Sequence, residues 1–152
     1  MPQVGEPAPE FTAKADAGTT VSLRDFRGRK VVLYFYPQDD TPGCTREACD
    51  FRDSMATVHA KGAAVLGVST DSVASHASFK QKFGLPFPLL SDDDKAIVTA
   101  YGVWKPRTRD GQTVMRTERT TFIIDERGMI SHVFPQVKVE GHVGEVLAAL
   151  GS

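Results

Sequence analysis

The chain has no apolar run long enough to cross a membrane. Its strongest one, Val31-Val32-Leu33-Tyr34-Phe35-Tyr36, falls far short of the ~18 residues a spanning helix needs. It has no surplus of one charge: 18 Lys and Arg stand against 19 Asp and Glu, for a net charge of -1. That balance argues against nucleic acid as a main partner, because phosphate binding needs a basic excess. The opening segment Met1-Pro2-Gln3-Val4-Gly5-Glu6-Pro7 lacks a basic region followed by an apolar one, so no secretory signal is read there and a cytoplasmic, membrane-free protein is expected. Cysteine is scarce, at Cys44 and Cys49 only. In a reducing cytosol such a pair points to a redox or metal site rather than to a structural staple. There is no C-x-x-C pair. His59, His76, His132 and His142 are scattered without zinc spacing, and each is read as a surface residue. No metal or cofactor is expected.

What is present is 152 residues with 24% charged, which fits one soluble domain over 1–152 able to bury roughly 68–70% of its unfolded surface. Phe11 to Ala15 and Thr20 to Leu23 read as a hairpin turned at Ala17-Gly18. Lys30 to Tyr36 is a buried central strand that Pro37 ends. A helix is expected from Thr41-Pro42 to about His59, with Thr41 as N-cap, Pro42 at the first helical position and Gly62 just beyond. Ala63 to Ser69 reads as a second buried strand, Ser72 to Phe83 as a helix stopped by Gly84, Phe87 to Leu90 as a strand and Asp93 to Ala100 as a helix. Thr120 to Asp125 and Met129 to Phe134 form a hairpin, and Val143 to Leu150 closes the chain as a helix. This order implies an α/β domain with a central mixed sheet flanked by helices and preceded by an N-terminal hairpin. Its βαβ then ββα succession is that of the thioredoxin fold, which assigns no chemistry by itself.

The chemistry lies in Pro37-Gln38-Asp39-Asp40-Thr41-Pro42-Gly43-Cys44-Thr45-Arg46-Glu47, between the first buried strand and its helix. Ligands of open α/β sheets bind outside the carboxyl ends of strands. Cys44 falls in the first helical turn, where free N–H groups and the helix dipole favour an anion, hence the nucleophilic thiolate. Taken alone, Cys44 reads equally well as a small residue packed on the sheet. Cys49 follows five positions later. On an intact helix the two are separated by a rise of ~7.5 Å and face different ways. A disulfide needs Cα atoms within ~7 Å, so one between them requires the first turns to unwind. By itself, Cys49 reads as a helix-interior residue beside Ala48, Phe51 and Met55.

Attack on an O–O bond needs fixed donors where charge builds on the leaving oxygen, and an arginine suits this. Arg46, Arg107, Arg109, Arg116 and Arg119 are candidates. Arg119 opens the Thr120-Thr121-Phe122-Ile123-Ile124 strand, which can reach the sheet edge near Cys44. The Thr41 hydroxyl is a candidate donor to substrate as well as a cap.

Pro37-x-x-x-Thr41-x-x-Cys44 resembles the peroxiredoxin active-site motif. With Tyr36, the run Thr41-Pro42-Gly43-Cys44-Thr45-x-Glu47 and Cys49, the chain is similar to the peroxiredoxin Q branch, also called bacterioferritin comigratory protein. The likeness runs from Gly5-x-x-Ala8-Pro9-x-Phe11 to Arg119-x-Thr121-Phe122. It implies a thiol peroxidase for hydrogen peroxide and organic hydroperoxides. Cys44 would be peroxidatic, Thr41 would hydrogen-bond the peroxide, and Pro37 would shield the sulfur. Arg119 would polarise thiolate and peroxide, Glu47 would support the arginine, and Cys49 would resolve. Thioredoxin or a similar dithiol would be the reductant. A monomer is expected, with a weak homodimer as the alternative. Gln38 stands where the branch often has lysine, and Lys105-Pro106-Arg107 lacks an acidic residue often found there. Three rivals stay open on the residues alone: a thioredoxin-type disulfide oxidoreductase, a metal module on the two cysteines and a histidine, and a redox-regulated binding protein whose output is helix unwinding.

Overall fold

A computed structural model describes residues 1–151 of the chain. Strands β1 (Thr12–Ala15) and β2 (Thr20–Ser22) form the N-terminal hairpin, and a 3-10 turn follows at Leu23–Phe26. β3 (Lys30–Phe35) leads into α1 (Pro42–Asp53) and α2 (Met55–Ala60). β4 (Ala63–Ser69), α3 (Val73–Phe83), β5 (Leu89–Ser91) and α4 (Ala96–Ala100) come next. β6 (Trp104–Arg109) pairs with β7 (Gln112–Thr117) as a separate ribbon; β8 (Thr120–Ile124), β9 (Ile130–Phe134) and α5 (His142–Leu150) close the chain.

The main sheet has seven strands in the order β2-β1-β5-β4-β3-β8-β9. β3, β4 and β5 run parallel, while β8 lies antiparallel to β3. This is the mixed, thioredoxin-like sheet expected from the element order. β3 sits at its centre, and its period-2 alternation feeds two cores. Val32, Tyr34 and Tyr36 face the layer of α1, α2, α3 and α5, with Ala48, Phe51, Val58, Phe79 and Val146. Val31, Leu33 and Phe35 face the other side, with Phe11, Ile97, Val98, Tyr101 and Phe122. Burial on both faces explains why β3 and β4 read as unbroken apolar runs. Trp104 packs against the second core, as its size suggests.

Four expectations are corrected. The helix expected to run to about His59 breaks at Ser54, whose φ of -105° and ψ of 3° leave the helical path and whose N–H turns to the Phe51 carbonyl at 3.0 Å. A serine competes poorly for helical geometry, and the break lets both Phe51 and Met55 reach the same core. The helix near Asp93 starts later, at Ala96, because the Asp92 carboxylate accepts the Ile97 and Val98 N–H groups from outside it. Thr41 holds the N-cap position in extended geometry, but its hydroxyl donates to the Gln38 carbonyl at 2.9 Å instead of capping. His76 and His142 are buried, not on the surface. His76 finds both of its ring partners, and His142 its Thr121 partner, across the chain, which no local pattern announces.

The β6–β7 ribbon was not among the expected elements. Its strands are largely exposed and polar and carry Pro106, so they lack apolar alternation. Its signal was the turn Asp110-Gly111, both residues at positive φ (53° and 77°), as a tight hairpin of this type requires.

Candidate active site

Because β8 is antiparallel to β3, with Thr120 opposite Phe35, its first residues lie beside the carboxyl end of β3. α1 begins at that same end. Two segments 75 residues apart therefore meet: the Arg119 Nη2 group donates to the Cys44 Sγ at 3.2 Å, and Nη1 donates to the Glu47 carboxylate at 2.7 Å. Cys44 and Glu47 are one helical turn apart on α1 and both face inward, at 2% and 0% exposure. Of the five candidate arginines, Arg119 is the one the fold brings to the sulfur.

Gly43 makes that approach possible. A Cβ there would stand 3.2 Å from the Arg119 Nη2 group. Any other residue would press on the guanidinium that binds the sulfur.

The charges are set by burial. Desolvation raises the Glu47 carboxyl to about 7, with Arg119 opposing. Burial works against the Arg119 charge, yet Glu47 and Cys44 together hold it above its ordinary value. The second Glu47 oxygen and the Tyr34 hydroxyl are buried without a hydrogen-bond partner. Burial, followed by the Glu47 and Cys44 charges, pushes the Tyr34 phenol up, so it stays protonated.

A cleft of about 430 Å³ opens on this corner, walled by Pro37, Arg119, the Lys105-Pro106-Arg107 segment of β6, Arg116 to Glu118, and Gln136-Val137. Pro37 and Arg119 are shared by the cleft and the cysteine site. Cys49 is partly exposed on the same intact helix, and both thiols are free. Thus Arg119 contacts both Cys44 and Glu47, Pro37 and Thr41 belong to the adjoining loop, and Cys49 lies along α1 from Cys44.

The site has a further layer that the sequence did not signal. Asp39, in the same loop, accepts from Tyr36 and faces His76; with Asp71 it makes the one grouping of three potential metal ligands among the described residues, all within 4.8 Å. Those ligand atoms are already engaged in hydrogen bonds with one another and with serines. Asp39 lies inside the motif, but nothing in Ser75-His76 marks a partner 37 residues upstream.

Comparison with known proteins agrees with this geometry. The model of the AhpC/TSA family matches residues 4–133. A putative peroxiredoxin Bcp of Coxiella burnetii is 55% identical over 97% of this chain and 98% of its own length. Peroxiredoxin Bcp of Bacillus subtilis is 47% identical over 97% and 94%. The solved bacterioferritin comigratory protein of Xanthomonas campestris, described for its alkyl peroxide reduction activity, superposes with a TM-score of 0.92 at 39% identity, covering 97% of each chain. With the family's model spanning most of its length and near-full-length relatives on either side, the chain belongs to the AhpC/TSA family, in the Bcp or peroxiredoxin Q branch.

Proposed function

We propose that Cys44 is the peroxidatic cysteine of a thiol-dependent peroxidase and that Cys49 resolves it within the same chain. The observation that carries this is the Arg119 guanidinium held between the Cys44 sulfur and the Glu47 carboxylate. A fixed cation 3.2 Å from the attacking sulfur is in place for the charge that develops on the leaving oxygen.

In the first step the Cys44 sulfur attacks one peroxide oxygen. An S–O bond forms, the O–O bond breaks, and the sulfur is oxidised by two electrons to sulfenic acid. The other oxygen leaves as water or alcohol after taking a proton from solvent. Thr41 offers its hydroxyl oxygen to the peroxide, Pro37 walls the sulfur from bulk water, and Glu47 aims Arg119. In the second step α1 unwinds at its start and the Cys49 sulfur displaces the hydroxyl of the sulfenic acid, forming the disulfide and releasing water. A dithiol of the thioredoxin type then reduces the disulfide by exchange through a mixed disulfide. Hydrogen peroxide and organic hydroperoxides are the substrates, and the cytoplasm, where such reductants are kept reduced, is the setting.

The test is intact mass with thiol trapping, on reduced protein given one equivalent of hydrogen peroxide. Loss of both trappable thiols, a two-hydrogen mass decrease and no dimer are expected. Two thiols still trappable after minutes would refute the assignment.

A further inference from the structure

The loop that carries Pro37 and Thr41 is held by residues far along the chain as well as by its neighbours. Asp39, buried within it, is gripped from three elements. The Tyr36 hydroxyl, at the end of β3, donates to Oδ1 at 2.6 Å. From α3, the Ser75 hydroxyl donates to Oδ2 at 2.8 Å, and His76 Nδ1 meets the same oxygen at 2.7 Å. The Asp39 N–H donates to the Asp71 carboxylate at 2.8 Å, which in turn accepts from Ser69 at the end of β4. His76 is fully buried, and its Nε2 faces the Leu90 carbonyl at 2.9 Å. A carbonyl only accepts, so Nε2 carries a hydrogen and donates it there, which fixes the ring against α3 and β5. Burial keeps the Tyr36 phenol protonated and able to donate.

None of these groups hydrogen-bonds the Cys44 sulfur, whose partner is Arg119, yet their position bears on it. Starting a helix fixes several residues for one hydrogen bond, which makes the first turn the costly one. Here the loop presents the Thr41 carbonyl, already in place, to the Thr45 N–H at 2.8 Å. A loop ordered in advance lowers the cost of winding the turn that holds Cys44 against Arg119. A freed loop adds its own disorder to the unwound form.

Resting on the peroxidase reading above, we infer that Tyr36, Asp39 and His76 form a lock on the active-site loop that sets the balance between the wound helix, which reacts with peroxide, and the unwound one, which closes the disulfide. These three are positioning residues. The lock favours oxidation of Cys44 and delays resolution by Cys49. Releasing it therefore has opposite effects on the two steps, whereas a change in the sulfur's surroundings alone slows oxidation without speeding closure.

The experiment uses His76→Gln and, as the gentler variant that removes one hydroxyl, Tyr36→Phe. Single-turnover oxidation by hydrogen peroxide is quenched at intervals, alkylated and read by intact mass, so that loss of the Cys44 thiol and appearance of the disulfide are timed separately. Loss of a hydrogen bond to a charged group is expected to move the balance by about tenfold. Oxidation should slow and disulfide closure should speed up, with less sulfinic acid per turnover. Ile97→Val, in the opposite core, serves as a control for lost stability alone and should move neither rate. If a folded lock variant changes only one of the two rates, changes both in the same direction or changes neither, the lock is overturned; the same holds if Ile97→Val reproduces the pattern. A wild-type chain that forms no disulfide overturns the peroxidase reading itself, and the lock with it.

Discussion

At the scale of single residues, the site depends on one guanidinium serving two acceptors. Arg119 reaches the sulfur with one nitrogen and the Glu47 carboxylate with the other. A lysine can offer a point charge but not that fork. Arg119→Lys is expected to lower the second-order rate of Cys44 oxidation on the order of 100-fold, as for the loss of one oriented donor, measured by stopped-flow peroxide consumption. An unchanged rate would place the stabilising charge elsewhere. Gly43→Ala adds a methyl 3.2 Å from the Arg119 Nη2 group, tight enough that the guanidinium must give way while remaining tied to Glu47. Alanine is the better helix former, so this variant should keep or raise thermal stability while slowing oxidation several-fold, roughly 1 kcal/mol at the barrier. Lost activity together with lost stability would instead mean that the helix start is disrupted.

At the scale of elements, the proposed cycle asks two incompatible tasks of α1. Wound, it holds Cys44 and Glu47 one turn apart against Arg119. Unwound, it lets Cys49 reach a sulfur that an intact helix keeps out of disulfide range. The break at Ser54 ends α1 about two and a half turns beyond Cys44, so unwinding need not propagate into α2. Arg52 fastens that end by donating to the Phe83 carbonyl at 2.7 Å. In the proposed cycle the sulfenic acid waits beside the cleft walled by Pro37 and Arg119. In Cys49→Ser it has no intramolecular outlet. Repeated exposure to peroxide should then convert Cys44 to sulfinic acid several-fold more often than in wild type, seen as a mass increase of two oxygens. No difference in that yield would remove Cys49 from the cycle.

At the scale of the whole molecule, burial of Glu47 couples folding to pH. Its carboxyl titrates at about 7 in the folded chain, against an ordinary value of 4.5. Between those values the folded state holds a proton that the unfolded state has lost. The stabilisation is therefore complete below pH ~4.5 and disappears as pH rises through ~7, a loss on the order of 3 kcal/mol. His142, lowered mainly by burial, acts with the opposite sign: its contribution is present above pH ~6.5 and is lost as pH falls through its depressed folded value. The two overlap in wild type, so the test is a difference. Glu47→Gln should gain on wild type by urea unfolding as pH goes from 5 to 8. A constant difference across that range would mean that Glu47 is ionised throughout.

Much of this molecule was legible along the chain. Runs buried on both faces marked β3 and β4, Gly84 marked the end of α3, and the strand-loop-helix setting of Pro37 to Glu47 marked the site. These are local signals, since side-chain periodicity and turn chemistry act over a few residues. The ribbon turned at Asp110-Gly111 was missed, because its exposed, polar strands lack apolar alternation. Among five arginines, Arg119 was already marked by its place before the Thr120–Ile124 strand and by the motif; tertiary structure decided its distance and partners, because an antiparallel β8 carries it to the carboxyl end of β3. It also decided that His76 is buried against Asp39, a contact across 37 residues. It set the Glu47 carboxyl near neutrality as well, because the cost of a buried charge depends on everything packed around it and is written in no single stretch of sequence.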